Sequence, residues 1–80
     1  MYSIPRIEKN IVGPRVAEAR KARKMNKEEL CEKLEALGIE MYNYELFLLE
    51  EQERKVLDYE LIALAQALEV SVDWLIERED

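Results

Sequence analysis

"DYELIALAQALEVSVDWLI", residues 58–76, is the most regularly patterned stretch of this 80-residue chain. Leu61, Leu64, Ala65 and Leu68 fall at i, i+3, i+4 and i+7, the spacing of one apolar stripe on an α-helix. After the short link "EV", Ser71 reads as the cap of a further helix. Asp73 stands near that helix's positive end, and Val72, Trp74, Leu75 and Ile76 form its apolar payload. Two amphipathic helices joined so tightly need a shared core, which points to a helical bundle.

Working back toward the start, the same grammar recurs. "MNKEEL" holds Asn26 and, three residues on, Glu29, the two halves of a capping box. The apolar residues Leu30, Cys31, Leu34 and Leu37 make one stripe behind it, and Gly38 ends that helix. Cys31 is expected as a small buried packing residue rather than a reactive thiol. In "VGP", Gly13 stands near a cap and Pro14 at the first helical position, where its missing N–H costs nothing. A helix over about 14–23 then directs Val16 and Ala19 inward. Between these, "NYELFLLEE" predicts a helix over about 43–51 with Leu46 and Leu49 as its core pair. Residues 1–10 read as an N-terminal arm, since Pro5 blocks a helix there, and residues 11–78 as one domain. The fold class expected is all-α, with five helices.

Composition supports that and removes several functions. The chain is 49% apolar and 38% charged, with one cysteine and no histidine. An internal disulfide, a Cys/His metal site and a histidine general base are therefore excluded. No nucleophile–base pair or phosphate loop is visible, so neither an enzyme nor a small-molecule substrate is expected, and no cofactor or metal. No apolar run approaches the roughly 20 residues that span a bilayer. A lone thiol suits a reducing compartment, so a cytoplasmic chain without a membrane segment is expected. Net charge is −6 but unevenly spread: residues 1–33 carry a balance of +4 and residues 34–80 one of −10. Arg20, Lys21, Arg23, Lys24 and Lys27 lie within eight residues, a density that reads either as a phosphate-binding stripe or as a solvated helix face.

The segments "GPRVAEARKARKM", "NKEELCEKL" and "ERKVLDYELIALAQALEVSVDWLI" together resemble the lambda-repressor-like (Cro-type, XRE-type) helix-turn-helix family over about residues 11–76. The resemblance implies a five-helix DNA-binding domain that acts as a homodimer on double-stranded DNA, with its third helix in the major groove. Carried over residue by residue, base-reading positions fall on Asn43, Tyr44 and Leu48, with Phe47 adjacent. Phosphate positions fall on Lys27, Arg54 and Lys55, with Arg23 and Lys24 in the nearby stripe. Arg20 and Glu50 match positions that form a structural ion pair in the family, and the last helix, with Trp74 and Ile76, is the usual dimer surface.

The chain departs from the family where bases would be read. Asn43 can present paired donors and acceptors to adenine, but Tyr44 offers one hydroxyl and a ring, and Phe47 and Leu48 only an apolar contact to a thymine methyl. No Arg or Lys occurs between Lys33 and Arg54. Tyr42 and Leu57 stand where the family places a Ser or Thr cap, and the turn "EALGIEMY" is longer than in short-turn members. These departures support a second expectation, a protein-interaction or dimerisation module on the same scaffold. Its interface would be Tyr42, Tyr44, Phe47 and Leu48. A third is bland: the long turn buries Phe47 or Leu48 as core.

Overall fold

The computed structural model describes residues 8–77 and is all-helical there, with no strand. The helices are α1 (Gly13–Ala22), α2 (Lys27–Ala36), α3 (Asn43–Glu50), α4 (Asp58–Leu68) and α5 (Val72–Ile76). α1 packs on α3, α4 and α5, while α2 packs on α3 and α4. One core results, centred on fully buried Val16, Leu30, Leu34, Leu46, Leu49, Leu64, Leu68 and Leu75. Each such side chain contributes about 1.5–3 kcal/mol on burial. Most of the inward stripe is as expected, with two corrections. Leu37 is the C-cap of α2 and lies exposed, because the chain turns at Gly38 (φ +89) before Leu37 reaches the core. Leu61 is only half-buried. The long turn fills the space instead: Met41 is buried and Ile39 packs against the core.

Helix starts are held in two ways. The Asn26 carboxamide accepts the Glu29 N–H (2.8 Å), while the Glu29 carboxylate accepts the Asn26 N–H (3.0 Å). Ser71 Oγ accepts the Trp74 N–H at 3.0 Å. Tyr42 and Leu57 remain the caps of α3 and α4 although neither side chain supplies an acceptor there. In both, the third helical residue works alone: Glu45 Oε1 accepts the Tyr42 N–H (3.1 Å) and Glu60 Oε1 the Leu57 N–H (3.0 Å). Half of each capping box survives without its hydroxyl partner.

Three chain reversals past helix ends use left-handed backbone at residues with side chains: Lys24 (φ 57), Gln52 (φ 64) and Glu69 (φ 57). Glycine is the usual solution there, and an L side chain costs about 1–2 kcal/mol.

Asn10 ties the start of the chain to the middle. Its Nδ2 donates to the carbonyls of Leu49 (3.0 Å) and Arg54 (2.7 Å), and its Oδ1 accepts the N–H groups of Val12 (3.0 Å) and Gly13 (2.8 Å). Gln52 Nε2 donates to the Asn10 carbonyl at 3.0 Å. The expected arm over residues 1–10 is therefore anchored at its inner end, and residues 1–7 lie outside the described residues. The anchor draws α1 so close to the end of α3 that a Cβ on Gly13 would meet the Glu50 carbonyl oxygen at 2.7 Å. Glycine at 13 is required by that approach.

Candidate macromolecule-docking face

α3 is anchored from within and bare outside. Leu46 and Leu49 point into the core, and Glu50 is bonded to Arg20 through Nε (2.8 Å) and Nη2 (3.1 Å), with both side chains buried. Arg20 Nη1 also donates to the Met25 carbonyl at 2.9 Å, which joins α1, the α1–α2 turn and α3. The hydrogen bonds that Arg20 donates to Glu50 raise the guanidinium pKa above its ordinary value, against the opposing effect of burial. Arg20 therefore adds nothing to the surface charge of α1.

On the outer side of α3, Tyr42 is 57% exposed, Tyr44 66% and Phe47 51%, and Asn43 is exposed between them. Burial of Phe47 under the long turn does not occur. Leu48 is half-buried and withdraws from the front of this face. The Tyr42 and Tyr44 rings lie parallel (5°) with centroids 6.1 Å apart. Lys27, the first helical residue of α2, places Nζ 6.0 Å from the Phe47 ring centroid, at the outer limit of a cation–π contact.

The five cations expected to hold phosphates divide into two groups. Lys24 and Lys55 are exposed and Lys27 is half-exposed. Arg54 is turned inward instead: Nη1 and Nη2 meet Glu60 Oε1 and Oε2, each at 2.9 Å, and Nη2 stands 3.6 Å from Glu45. Arg54 Nη1 also donates to the Lys55 carbonyl at 2.8 Å. Hydrogen bonding to Glu60 raises the Arg54 pKa and lowers that of Glu60. Arg23 is drawn away as well. Its Nε donates to the Leu68 carbonyl (2.6 Å) and Nη1 lies 3.4 Å from Glu69. α4 has no basic residue in its own last turn, so Arg23 supplies the cation that its negative end favours. Arg23 and Arg54 both have intramolecular partners in this structure, Arg23 with its side chain still 41% exposed. Six residues separate Arg54 from Glu60 across a linker, a spacing that no helical periodicity rule would flag.

The remaining surface offers less chemistry. A groove of about 400 Å³ between α1 and the α4–α5 link is lined by Glu18, Ala19, Ala22, Arg23, Val70 and Trp74. The Arg15 guanidinium covers the Trp74 ring at 4.4 Å and pairs with Glu77 at 3.2 Å, so the expected α5 dimer surface is partly occupied by the chain itself. An acidic recess of about 160 Å³ lies beside Tyr42, with Glu28, Glu32, Glu35 and Glu40 at its walls. Cys31 lines it too, but burial, then the charges of Glu45 and Glu50, push its thiol pKa up and disfavour the reactive thiolate. Among the described residues no group of His, Cys, Asp or Glu converges to hold a metal ion. No helix there is long and apolar enough to cross a membrane.

No family model, curated protein or solved structure matches the chain.

Proposed function

We propose that this chain is a cytoplasmic DNA-binding transcriptional regulator of the lambda-repressor-like helix-turn-helix type. In this reading α2 and α3 form the helix-turn-helix, α3 lies in the major groove, and the protein works as a homodimer on paired half-sites. The observation that carries it is the placement of Lys27. This cation is the first residue of α2 and stands 6.0 Å from the ring of Phe47, on the exposed α3 face that also holds Asn43 and Tyr44. Lys24 and Lys55 extend the available positive charge, while Arg20–Glu50 keeps α3 in place.

Three accessible lysines set the expected salt dependence. At about 0.9 counterions released per phosphate contact, the slope of log K against log salt is about −3 per protomer. Fluorescence anisotropy on labelled duplexes across a salt series measures it. Lys27→Ala and Lys55→Ala each lower the slope by about one unit without unfolding the protein. A duplex affinity indifferent to salt and to both substitutions removes this function.

A second reading is favoured by one observation. Arg23 and Arg54 are committed to internal partners, whereas the rings of Tyr42, at the cap of α3, and of Tyr44 and Phe47 within it face solvent. In that reading α3 is a protein interface, and Tyr42, Tyr44 and Phe47 are its anchors. Sedimentation of the wild type beside Phe47→Glu separates the two. A dimer abolished by this change, in a protein that binds no duplex at low salt, belongs to the second reading.

A further inference from the structure

We propose that the α3 face selects A·T base pairs and discriminates against G·C pairs, with Asn43 taking an adenine edge and Tyr44 and Phe47 taking the C5-methyl groups of thymine. The proposal rests on the DNA-binding reading above and names the class of half-site that reading requires.

Guanine presents two acceptors in the major groove, O6 and N7, and is read by a guanidinium or an ammonium. Neither group is available from α3, since the sequence has no Arg or Lys between Lys33 and Arg54, and Arg54 is held by Glu60 and Glu45. Cytosine presents the N4 amine, which needs an acceptor. Glu45 is the carboxylate nearest the start of α3, but it accepts the Tyr42 N–H at 3.1 Å and faces Arg54 at 3.6 Å, so it is spent on the framework. What remains at the front is one carboxamide and the rings of Tyr42, Tyr44 and Phe47, where a tyrosine hydroxyl offers one bond and not the paired donors that guanine's two acceptors take. A carboxamide matches the donor–acceptor pair of adenine, and an apolar ring matches the methyl that only thymine carries.

The rings also have neighbours on this face. Tyr44 lies parallel to Tyr42, and Phe47 has Lys27 beside it. Tyr44 and Phe47 are three residues apart and share one helical face, with Asn43 just ahead of them at the start of α3. With Lys27 on a backbone phosphate, the Phe47 ring 6.0 Å from its Nζ is brought close to the DNA. One side chain thereby couples non-specific docking to methyl contact.

Four alternating-sequence duplexes test this at low salt: A·T, the same duplex with deoxyuridine for thymidine, G·C, and G·C with 5-methylcytosine. The alternating order avoids stiff A-tracts and their narrow minor groove. The A·T duplex is expected to bind about tenfold more tightly than the G·C duplex. Loss of each contacted methyl to deoxyuridine costs about three- to five-fold, and 5-methylcytosine recovers part of the deficit of G·C. Phe47→Ala is expected to reduce the thymidine–deoxyuridine difference by the share of one methyl contact, about three- to five-fold, while leaving the salt slope unchanged. Asn43→Ala weakens binding to the two adenine-containing duplexes and leaves the two G·C duplexes unchanged. Equal affinity for all four duplexes with the expected salt slope overturns the A·T proposal and leaves DNA binding standing. No binding to any duplex overturns DNA binding, and the A·T proposal with it.

Discussion

Glu60 sits three residues past the cap of α4 with its carboxylate held by Arg54 through two hydrogen bonds of 2.9 Å and by the Leu57 N–H at 3.0 Å. The Arg54 hydrogen bonds hold its pKa below the ordinary carboxylate value, against burial, which pushes the other way. A folded-state pKa below the unfolded one means stability that is fully present above the usual carboxylate range. It is lost as pH falls through the lowered folded value. Glu60→Gln is expected to destabilise by about 2–3 kcal/mol at neutral pH and to remove this acid-sensitive component. Urea unfolding at neutral and acid pH, wild type against variant, measures both effects. At Glu69 the local physics runs the other way. Its left-handed backbone is strained, and its side chain makes only an exposed contact with Arg23. Glu69→Gly is expected to stabilise by about 0.5–1 kcal/mol in the same assay. Neither effect is legible from the residue types alone. The pairing of Arg54 with Glu60 depends on how the α3–α4 link folds back, and a Glu past a helix end does not announce a positive φ.

At the scale of elements, the helix starts explain themselves most completely. Asn26 with Glu29, and Ser71, cap their helices through bonds confined to one turn, so these boundaries follow from the residues present. Tyr42 and Leu57 depart from that grammar, yet α3 and α4 still begin there because Glu45 and Glu60 hold the cap N–H groups. Leu57 is exposed, so restoring a hydroxyl at 57 sacrifices little burial. Leu57→Thr is expected to raise stability by about 1 kcal/mol through a new bond to the Glu60 N–H, read as a higher urea midpoint at unchanged m-value. Tyr42→Ser offers the same gain to α3 but removes the ring parallel to Tyr44, so the two substitutions separate capping from the loss of an exposed ring. The unusual character of α3 was visible from its residue types. How far each ring protrudes was not, since the α2–α3 turn decides it by placing Met41 in the core and leaving Phe47 outside.

Across the whole molecule, Asn10 does most to connect distant parts. Its bonds to the Leu49 and Arg54 carbonyls span 39 and 44 residues, and they seat α1 against the end of α3. Asn10→Ala strands buried carbonyls and N–H groups at once, and is expected to cost about 2–4 kcal/mol. Gly13→Ala probes the same junction sterically, at about 1–3 kcal/mol, because backbone oxygens of α3 must move to admit the Cβ. Thermal unfolding followed by circular dichroism reads both. Nothing around Asn10 in the sequence marks it as more than part of a polar arm.

Five helices, most of their boundaries and their inward leucines follow from the chain alone, because periodicity and capping act within one or two turns. Tertiary structure decided which charges remain available. Arg23 reaches the end of α4 across 45 residues, and Arg54 turns to Glu60 rather than outward. A guanidinium takes the carbonyl or carboxylate that packing brings within 3 Å, and which one arrives depends on how helix ends meet, not on local pattern. The character of the outer face of α3 is therefore set as much by where Arg23 and Arg54 find their partners as by Tyr44 and Phe47, which it presents.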